Sequence, residues 1–383
     1  MFNFDEVVDR HNTISDKWDI VKDKDVLPLW VADMDFKAAP AIYEAVNKMA
    51  AHGVYGYGLV PDEYYEAIIS FHERHYKQTV KKDWIIPVPA VVPAISAIIQ
   101  GLALPGDEVI VQTPAYNCFF SCITNSACVG IENKILYKDG KFELDFDALE
   151  KQASSAKACF LLFCNPQNPT GRLWTKAELQ KVLKIAKDNN LIVISDEIHC
   201  DIHPNDSIFH AFSTLDESFN NNVITVRSAS KTFNTAGLKN AYIICQNDEL
   251  RNRIDRQVNI NEVCDVDPFG IAATIAAYTN CDDWLIELNN YIQENYKYLV
   301  SFFKENYPLV KVADLQSTYL AWVDCSCFNM TDSDIKSKLL KDAKILVNNG
   351  AMYHSSNESF IRINLGCTKA TLVEALNRFK KAF

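Results

Sequence analysis

The sequence predicts a layered α/β protein: a large domain built on a central, mostly parallel sheet, and a second, smaller α+β domain toward the C-terminus. Three observations carry this reading. Short apolar runs alternate with amphipathic helical patterns through the middle of the chain, several of those runs are apolar at every position, and the texture changes after about residue 280. Strands covered on both faces require continuous apolar runs, and alternation with helices is the mark of crossover connections.

Taken in order, VPAVVPAISAIIQGLALPG, starting at Val88, reads as a buried helix between turns. Prolines, glycines, Ser96 and Gln100 interrupt it too often for a membrane span. Strands are expected at EVIVQ (108–112), ACFLLF (158–163), LIVISD (191–196), VITV (223–226) and NAYIICQ (240–246). Between two of them, TKAELQKVLKIAKDNN places Leu179, Val182, Leu183 and Ala186 at helical intervals, and Thr175 with Glu178 forms a capping box at its start. A long helical region over 284–307 then precedes YLAWVD, a loop-rich section, FIRINLG and a final helix with Leu372, Leu376, Phe379 and Phe383 on one face. The domain division expected from this is 1–47 as an N-terminal segment packing with the small domain, 48–280 as the large domain and 281–383 as the small one.

Composition bounds the function classes. With 383 residues, 48% of them hydrophobic, the chain can bury a substantial core, and its formal charge of -11 disfavours a nonspecific grip on nucleic acid or anionic membrane. Small-molecule chemistry is the better starting point. Twelve cysteines are scattered without a CxxC pair, and the N-terminal MFNFDEVVDRHN is acidic and lacks a secretory apolar segment. Both point to a reducing cytoplasm.

Parallel α/β sheets gather ligands at the carboxyl ends of their strands, so polar residues just after the apolar runs are the first candidates. Four stretches qualify: TPAY after EVIVQ, CNPQNPTG after ACFLLF, SDEIHCD ending LIVISD, and SASKTFN after VITV. Each has a bland reading. Lys231 alone is a solvated lysine, Asp196 alone a capping carboxylate, NPTG alone a turn and Tyr116 alone a core aromatic. Together they supply an amine to condense with an aldehyde, a buried carboxylate to keep a pyridine nitrogen protonated, an amide (Asn168) for a ring oxygen and an aromatic face (Tyr116) for the ring. That is the set needed to hold and activate pyridoxal 5'-phosphate, PLP.

TPAY, NPQNPTG, SDEIH, SxSKTFN and FIRINLG together resemble the fold type I PLP enzymes, the aminotransferase class I and II superfamily, whose fold is that of aspartate aminotransferase. PLWVADMDF with GVYGYG resembles more narrowly the MalY/PatB branch of cystathionine beta-lyases, also called carbon-sulfur lyases. The likeness runs over about residues 25 to 380. It implies that Lys231 carries the cofactor and shuttles the substrate α-proton, that Asp196 is the pyridinium partner, and that Arg362 grips the substrate α-carboxylate. It implies a phosphate site at Ala90, Val91 and Val92, where backbone N–H groups open the apolar helix, with Ser228 and Ser230 adding hydroxyls. Tyr57 matches a tyrosine that reaches the neighbouring subunit's phosphate, which implies a homodimer with shared sites. Two departures stand out: Lys239 occupies the region where transaminases place an arginine on the phosphate, and Ala90 replaces a glycine common in the branch.

Trp30, Tyr55, Tyr353 and Trp322 are candidate walls of the substrate pocket. His199 and Cys200 lie near Asp196, Glu197 and Asp201, but without an HExxH arrangement no metal is expected; His199 reads as a residue near the cofactor ring and Cys200 as a core thiol. The branch resemblance favours β-elimination from cystathionine or a related cysteine thioether, giving a thiol, pyruvate and ammonia. An aminotransferase acting on an L-amino acid and a 2-oxo acid is the alternative, since both reactions use the same lysine and carboxylate. A regulatory protein that merely retains the fold is a third class, disfavoured by the intact Lys231 and Asp196 and by the lack of a recognisable DNA-binding element.

Overall fold

The computed structural model describes residues 2–138, 140–355 and 359–383. Its seven-stranded central sheet has the spatial order Ile85–Val88, Ala241–Cys245, Val223–Arg227, Ile192–Asp196, Ala158–Cys164, Glu108–Thr113, Val129–Lys134. Only Ala241–Cys245 runs against its neighbours; the other strands share one direction. The five apolar runs form five of these strands, with ends shifted by at most one residue. Val223–Arg227 and Ala241–Cys245 are buried at every position, as strands covered on both faces must be. The two outermost strands differ. Val129–Lys134 carries exposed polar positions, and Ile85–Val88 tolerates Pro87 because an edge strand can forgo a ladder donor.

From Glu108–Thr113 the chain steps outward to Val129–Lys134, whereas from Ala158–Cys164 it steps the opposite way. The reversal opens a crevice between those two strands at their carboxyl ends. Tyr116 and Asn168 follow them directly.

Helices cover both faces. Lys176–Asp188 begins with the expected capping box: Glu178 N–H donates to Thr175 Oγ1 (3.2 Å) and Thr175 N–H to Glu178 Oε2 (2.8 Å). It buries Leu179, Val182, Leu183, Ile185 and Ala186 against the sheet. The apolar stretch after Val88 forms the helix Val91–Leu102. Near the start of Pro268–Asn280, a Cβ on Gly270 would meet the Leu238 carbonyl oxygen at 2.3 Å, so only glycine lets that helix approach the loop following Lys231.

The smaller unit is an antiparallel sheet of Lys311–Val312, Leu320–Asp324, Phe360–Asn364 and Asn348–Asn349, covered by the helices Asp332–Ala343 and Lys369–Ala382. The last helix buries Leu372, Leu376 and Phe379, while Phe383 stacks on Phe328 at 4.1 Å. Near the N-terminus, Leu27–Pro28 pairs in parallel with Ile345–Leu346, so this part of the segment joins the smaller unit. Helix Pro40–His52 instead packs on Pro268–Asn280, and it runs unbroken through residue 47, where a domain boundary was expected. Helix Pro268–Asn280 is followed directly by Asp282–Asn306. That second helix spans two cores, placing Trp284, Leu288 and Ile292 in one and Leu299, Phe302 and Phe303 in the other.

Candidate active site

A cavity of about 400 Å³ opens at the carboxyl ends of the parallel strands, a volume suited to a small cofactor with its substrate. Lys231, Asp196, Asn168, Tyr116, His199, Ala90, Val91, Val92, Ser228, Ser230, Lys239, Trp30, Tyr353 and Arg362 all line it. They come from seven separate stretches of chain, which the fold alone brings together.

Lys231 sits in the short helix Ala229–Thr232, which follows Val223–Arg227 and is capped by Ser228. Its amine donates to the Ala32 carbonyl at 2.7 Å, an acceptor that Tyr319 OH also engages at 2.9 Å. The side chain opens only onto the cavity, so burial, and then the charge of Arg362, pushes its pKa down to about 8. An amine so tuned is part neutral, and therefore nucleophilic, near neutral pH.

Asp196 ends its strand and is only 3% exposed. Its carboxylate accepts a hydrogen bond from Ile198 N–H at 3.1 Å. Burial pushes its pKa up to about 7 against the opposing effect of that hydrogen bond, and the Glu197 charge raises it further. The Lys231 charge lowers it in turn, but among the described residues no cation forms an ion pair with this carboxylate; a protonated pyridine would supply one. His199 is buried, with Nδ1 unpartnered among the described residues, and burial and the nearby Lys231 and Arg362 charges push its pKa down to about 3. Its imidazole is neutral.

Arg362 is buried on Phe360–Asn364, donating from Nη1 to Asn168 Oδ1 (3.1 Å) and from Nη2 to the Trp30 carbonyl (2.8 Å), over the Tyr353 ring at 4.9 Å. All of these partners are neutral, and its Nε–H has none among the described residues. A buried guanidinium without a carboxylate is costly unless an anion arrives. The α-carboxylate of an amino acid would be that anion. Arg362→Lys should raise KM for amino-acid substrates about tenfold or more, with a smaller loss in kcat, because a point charge cannot reproduce the planar fork. Steady-state kinetics of the two proteins would show it, and an unchanged KM would remove Arg362 from this role.

A second group of lining residues suits a phosphate. Helix Val91–Leu102 starts after Ala90 without a side-chain cap, and Val91 and Val92 present N–H groups at its positive end. Ser230 and Lys239 stand on the same wall. Ser228 departs from expectation: its hydroxyl donates to the Asn240 carbonyl (2.6 Å) and accepts from Ser230 N–H (3.0 Å), so it shapes the turn and has no proton left for a phosphate.

Three candidate residues lie elsewhere. Tyr55 and Tyr57 are 70% and 101% exposed on the segment after Pro40–His52, outside the cavity of this chain; Tyr55 donates to the Ala50 carbonyl and rests 6.0 Å from the Phe269 ring. Trp322 is buried between Tyr353 and Phe360 and forms core. Sequence reasoning missed Ala32, Tyr319, Asn348 and Asn240. Asn240 Nδ2 is buried at the cavity wall with no partner among the described residues, and its place between the Lys231 loop and the strand Ala241–Cys245 was the available signal.

Among the described residues no cluster of His, Cys, Asp and Glu could hold a metal ion, and no helix is long and apolar enough to cross a membrane.

A lysine, a buried carboxylate and an anion-seeking helix start at the strand ends define a fold type I enzyme site. The chain belongs to the aminotransferase class I and II family, whose profile matches residues 24–379. Within it the chain falls in the MalY/PatB-like branch. It is 34% identical to cystathionine beta-lyase PatB of Bacillus subtilis (strain 168), covering 99% of each chain, and 31% identical to protein MalY of Escherichia coli (strain K12), covering 97% of this chain and 96% of MalY. The structure of cystalysin from Treponema denticola, which contains pyridoxal 5'-phosphate, superposes with a TM-score of 0.96 at 33% identity, covering 100% of this chain and 98% of cystalysin.

Proposed function

We propose that this protein is a PLP-dependent carbon-sulfur β-lyase that cleaves cystathionine or a related cysteine thioether. With cystathionine, one water is consumed and homocysteine, pyruvate and ammonia are released. The observation that carries the reading is the meeting, in one cavity, of a buried amine whose pKa is lowered, a buried carboxylate and a buried guanidinium, the last two with no ion-pair partner among the described residues. The likeness to PatB and MalY along nearly the whole chain favours elimination over transamination.

When bound, the cofactor supplies an aldehyde for the substrate amine and an electron-withdrawing ring that stabilises negative charge at the α-carbon. The protein's residues do the rest. Lys231 Nζ anchors the aldehyde and, as a free amine, takes the α-proton. Asp196 holds a proton on the ring nitrogen, which is where its electrostatic contribution counts. Asn168 and Tyr116 would meet the ring oxygen and the ring face, with neutral His199 lining the same cavity. Val91 and Val92 N–H groups, Ser230 and Lys239 hold the phosphate, and Arg362 fixes the substrate carboxylate. Tyr57 reaches the phosphate of a second copy, so the working unit is a homodimer; its full exposure here, beside exposed Val54 and Leu59, suits a surface that a partner covers. The net acidic charge and free thiols suit a small-molecule enzyme of the cytoplasm.

Incubating the purified protein with cystathionine, without any 2-oxo acid, should release pyruvate and homocysteine in equal amounts. Turnover that requires a 2-oxo acid acceptor, with a new amino acid accumulating, would instead establish the aminotransferase.

A further inference from the structure

The motif WVADM, residues 30–34, has no assigned task in the chemistry above, yet it touches both cations of the site. Five consecutive backbone carbonyls there accept side-chain donors. Trp30 O takes Arg362 Nη2 (2.8 Å) and Asn348 Nδ2 (3.0 Å), and Ala32 O takes Lys231 Nζ (2.7 Å) and Tyr319 OH (2.9 Å). Val31 O and Asp33 O both receive Asn364 Nδ2 (2.6 Å each), and Met34 O receives Asn234 Nδ2 (2.8 Å). Asn364 lies two residues after Arg362 and Asn234 three after Lys231. The stretches that carry the two cations therefore also clamp the backbone that registers them against each other.

What holds this backbone is a cluster of charges outside the cavity. Asp35 Oδ2 accepts from Lys17 Nζ at 2.8 Å, and its Oδ1 accepts from Arg10 Nη1 and Trp18 Nε1 at 2.8 Å each. Arg10 Nη2 donates to Asp33 Oδ2 at 2.8 Å. Lys17 is fully buried and Asp35 is 7% exposed.

We propose that Arg10, Lys17 and Asp35 are positioning residues of the active site, fixing residues 30–34 so that the Ala32 and Trp30 carbonyls hold Lys231 and Arg362 at their working separation. Three features support this over a purely structural role. None of the three residues lines the cavity, and a buried ion cluster is a poor source of net stability but a good way to enforce one conformation. The cluster grips a segment whose carbonyls also hold the two cations of the site, Lys231 and Arg362. Ala32 O also offers the Lys231 amine a defined resting place whenever that amine is free, which suits a group that must leave and return to the same atom. Misplacement by about 1 Å at such a site is worth about 10²-fold in rate.

The inference rests on Lys231 and Arg362 being the amine and the carboxylate clamp. Asp35→Asn keeps the shape and removes the charge. In the loaded enzyme kcat/KM should fall about 10²-fold, mainly through kcat. In the cofactor-free full-length chain, hydrogen exchange at residues 30–36 should quicken about tenfold, and the pH midpoint for reaction of Lys231 with an amine reagent should move. Arg10→Gln and Trp18→Phe, which each remove a donor to Asp35, should show the same signature more weakly, so the test survives if Asp35→Asn fails to fold. Lys344→Ala breaks an exposed N-terminal contact, to Asp23, away from this cluster and should leave all three readouts at wild type. Variants that fold, even with lowered Tm, but keep wild-type exchange at 30–36 and wild-type kcat/KM would overturn the proposal. A wild-type protein that neither binds PLP nor turns over would instead indict the functional reading.

Discussion

Lys231→Ala should abolish the visible absorbance of lysine-bound PLP and lower kcat by about 10⁴-fold or more, since it removes both the anchoring amine and the proton carrier. The fold should survive. Lys231 is held by one hydrogen bond to a backbone carbonyl that Tyr319 also occupies, and its neighbours in the short helix Ala229–Thr232 do not depend on the amine. The truncation leaves a gap the length of the lost side chain in an open cavity of about 400 Å³, so a small primary amine added to the assay should restore part of the rate. The pH dependence has a definite sign. With a folded-state pKa near 8 in place of 10.5, the amine of the cofactor-free wild type gains nucleophilic, neutral form as pH rises through 8. Its reaction with an aldehyde should rise through that midpoint, while surface lysines follow only near pH 10. A Lys231→Ala protein that keeps its absorbance and turnover would end the assignment of the catalytic lysine.

Much of this was legible in the sequence because burial on both faces leaves a simple trace. Runs such as ACFLLF and VITV carry no charged and at most one small polar residue, and the strands they form are interior. The two outermost strands left no such trace: VGIENK exposes Val129 and Lys134 while burying Asn133, so its pattern is neither apolar nor alternating, and the proline in IIPV argues against a strand unless one edge is known to be free. The same logic divides the site. Lys231, Asp196, Asn168 and Tyr116 could be found because a polar side chain directly after an apolar strand is conspicuous. Ala32 acts through its backbone carbonyl, which every residue type has, so its hold on Lys231 left no trace; Trp30 was expected as a pocket wall, but not through the carbonyl that takes Arg362. Ser228 shows a third limit. Its hydroxyl looks free in sequence, but the Asn240 carbonyl that takes its proton is brought alongside only by the pairing of Val223–Arg227 with Ala241–Cys245.

Asp196→Asn should move activity and stability in opposite directions. In the loaded enzyme the amide cannot hold a proton on the ring nitrogen by charge, and kcat should drop about 10²- to 10³-fold, the scale for losing one well-placed electrostatic contact. In the cofactor-free chain the same change removes a burden. The carboxyl ionises near pH 7 when folded but near 3.8 when unfolded, so between those values the folded state binds more protons and its stability falls as pH rises. Above pH 7 the cost is fully present, up to about 4 kcal/mol from the displacement. Asparagine keeps the acceptor for Ile198 N–H without the charge. Urea unfolding of the cofactor-free proteins should therefore find the variant more stable at pH 8 and equal to wild type at pH 4. A variant less stable at pH 8 would mean that the carboxylate already has a compensating partner inside the protein. Its role as the counter-charge to PLP would then lose its physical basis. The gain in stability on removing a functional group is what a site built around an absent cation should show, because the protein has buried a charge that only its ligand can neutralise.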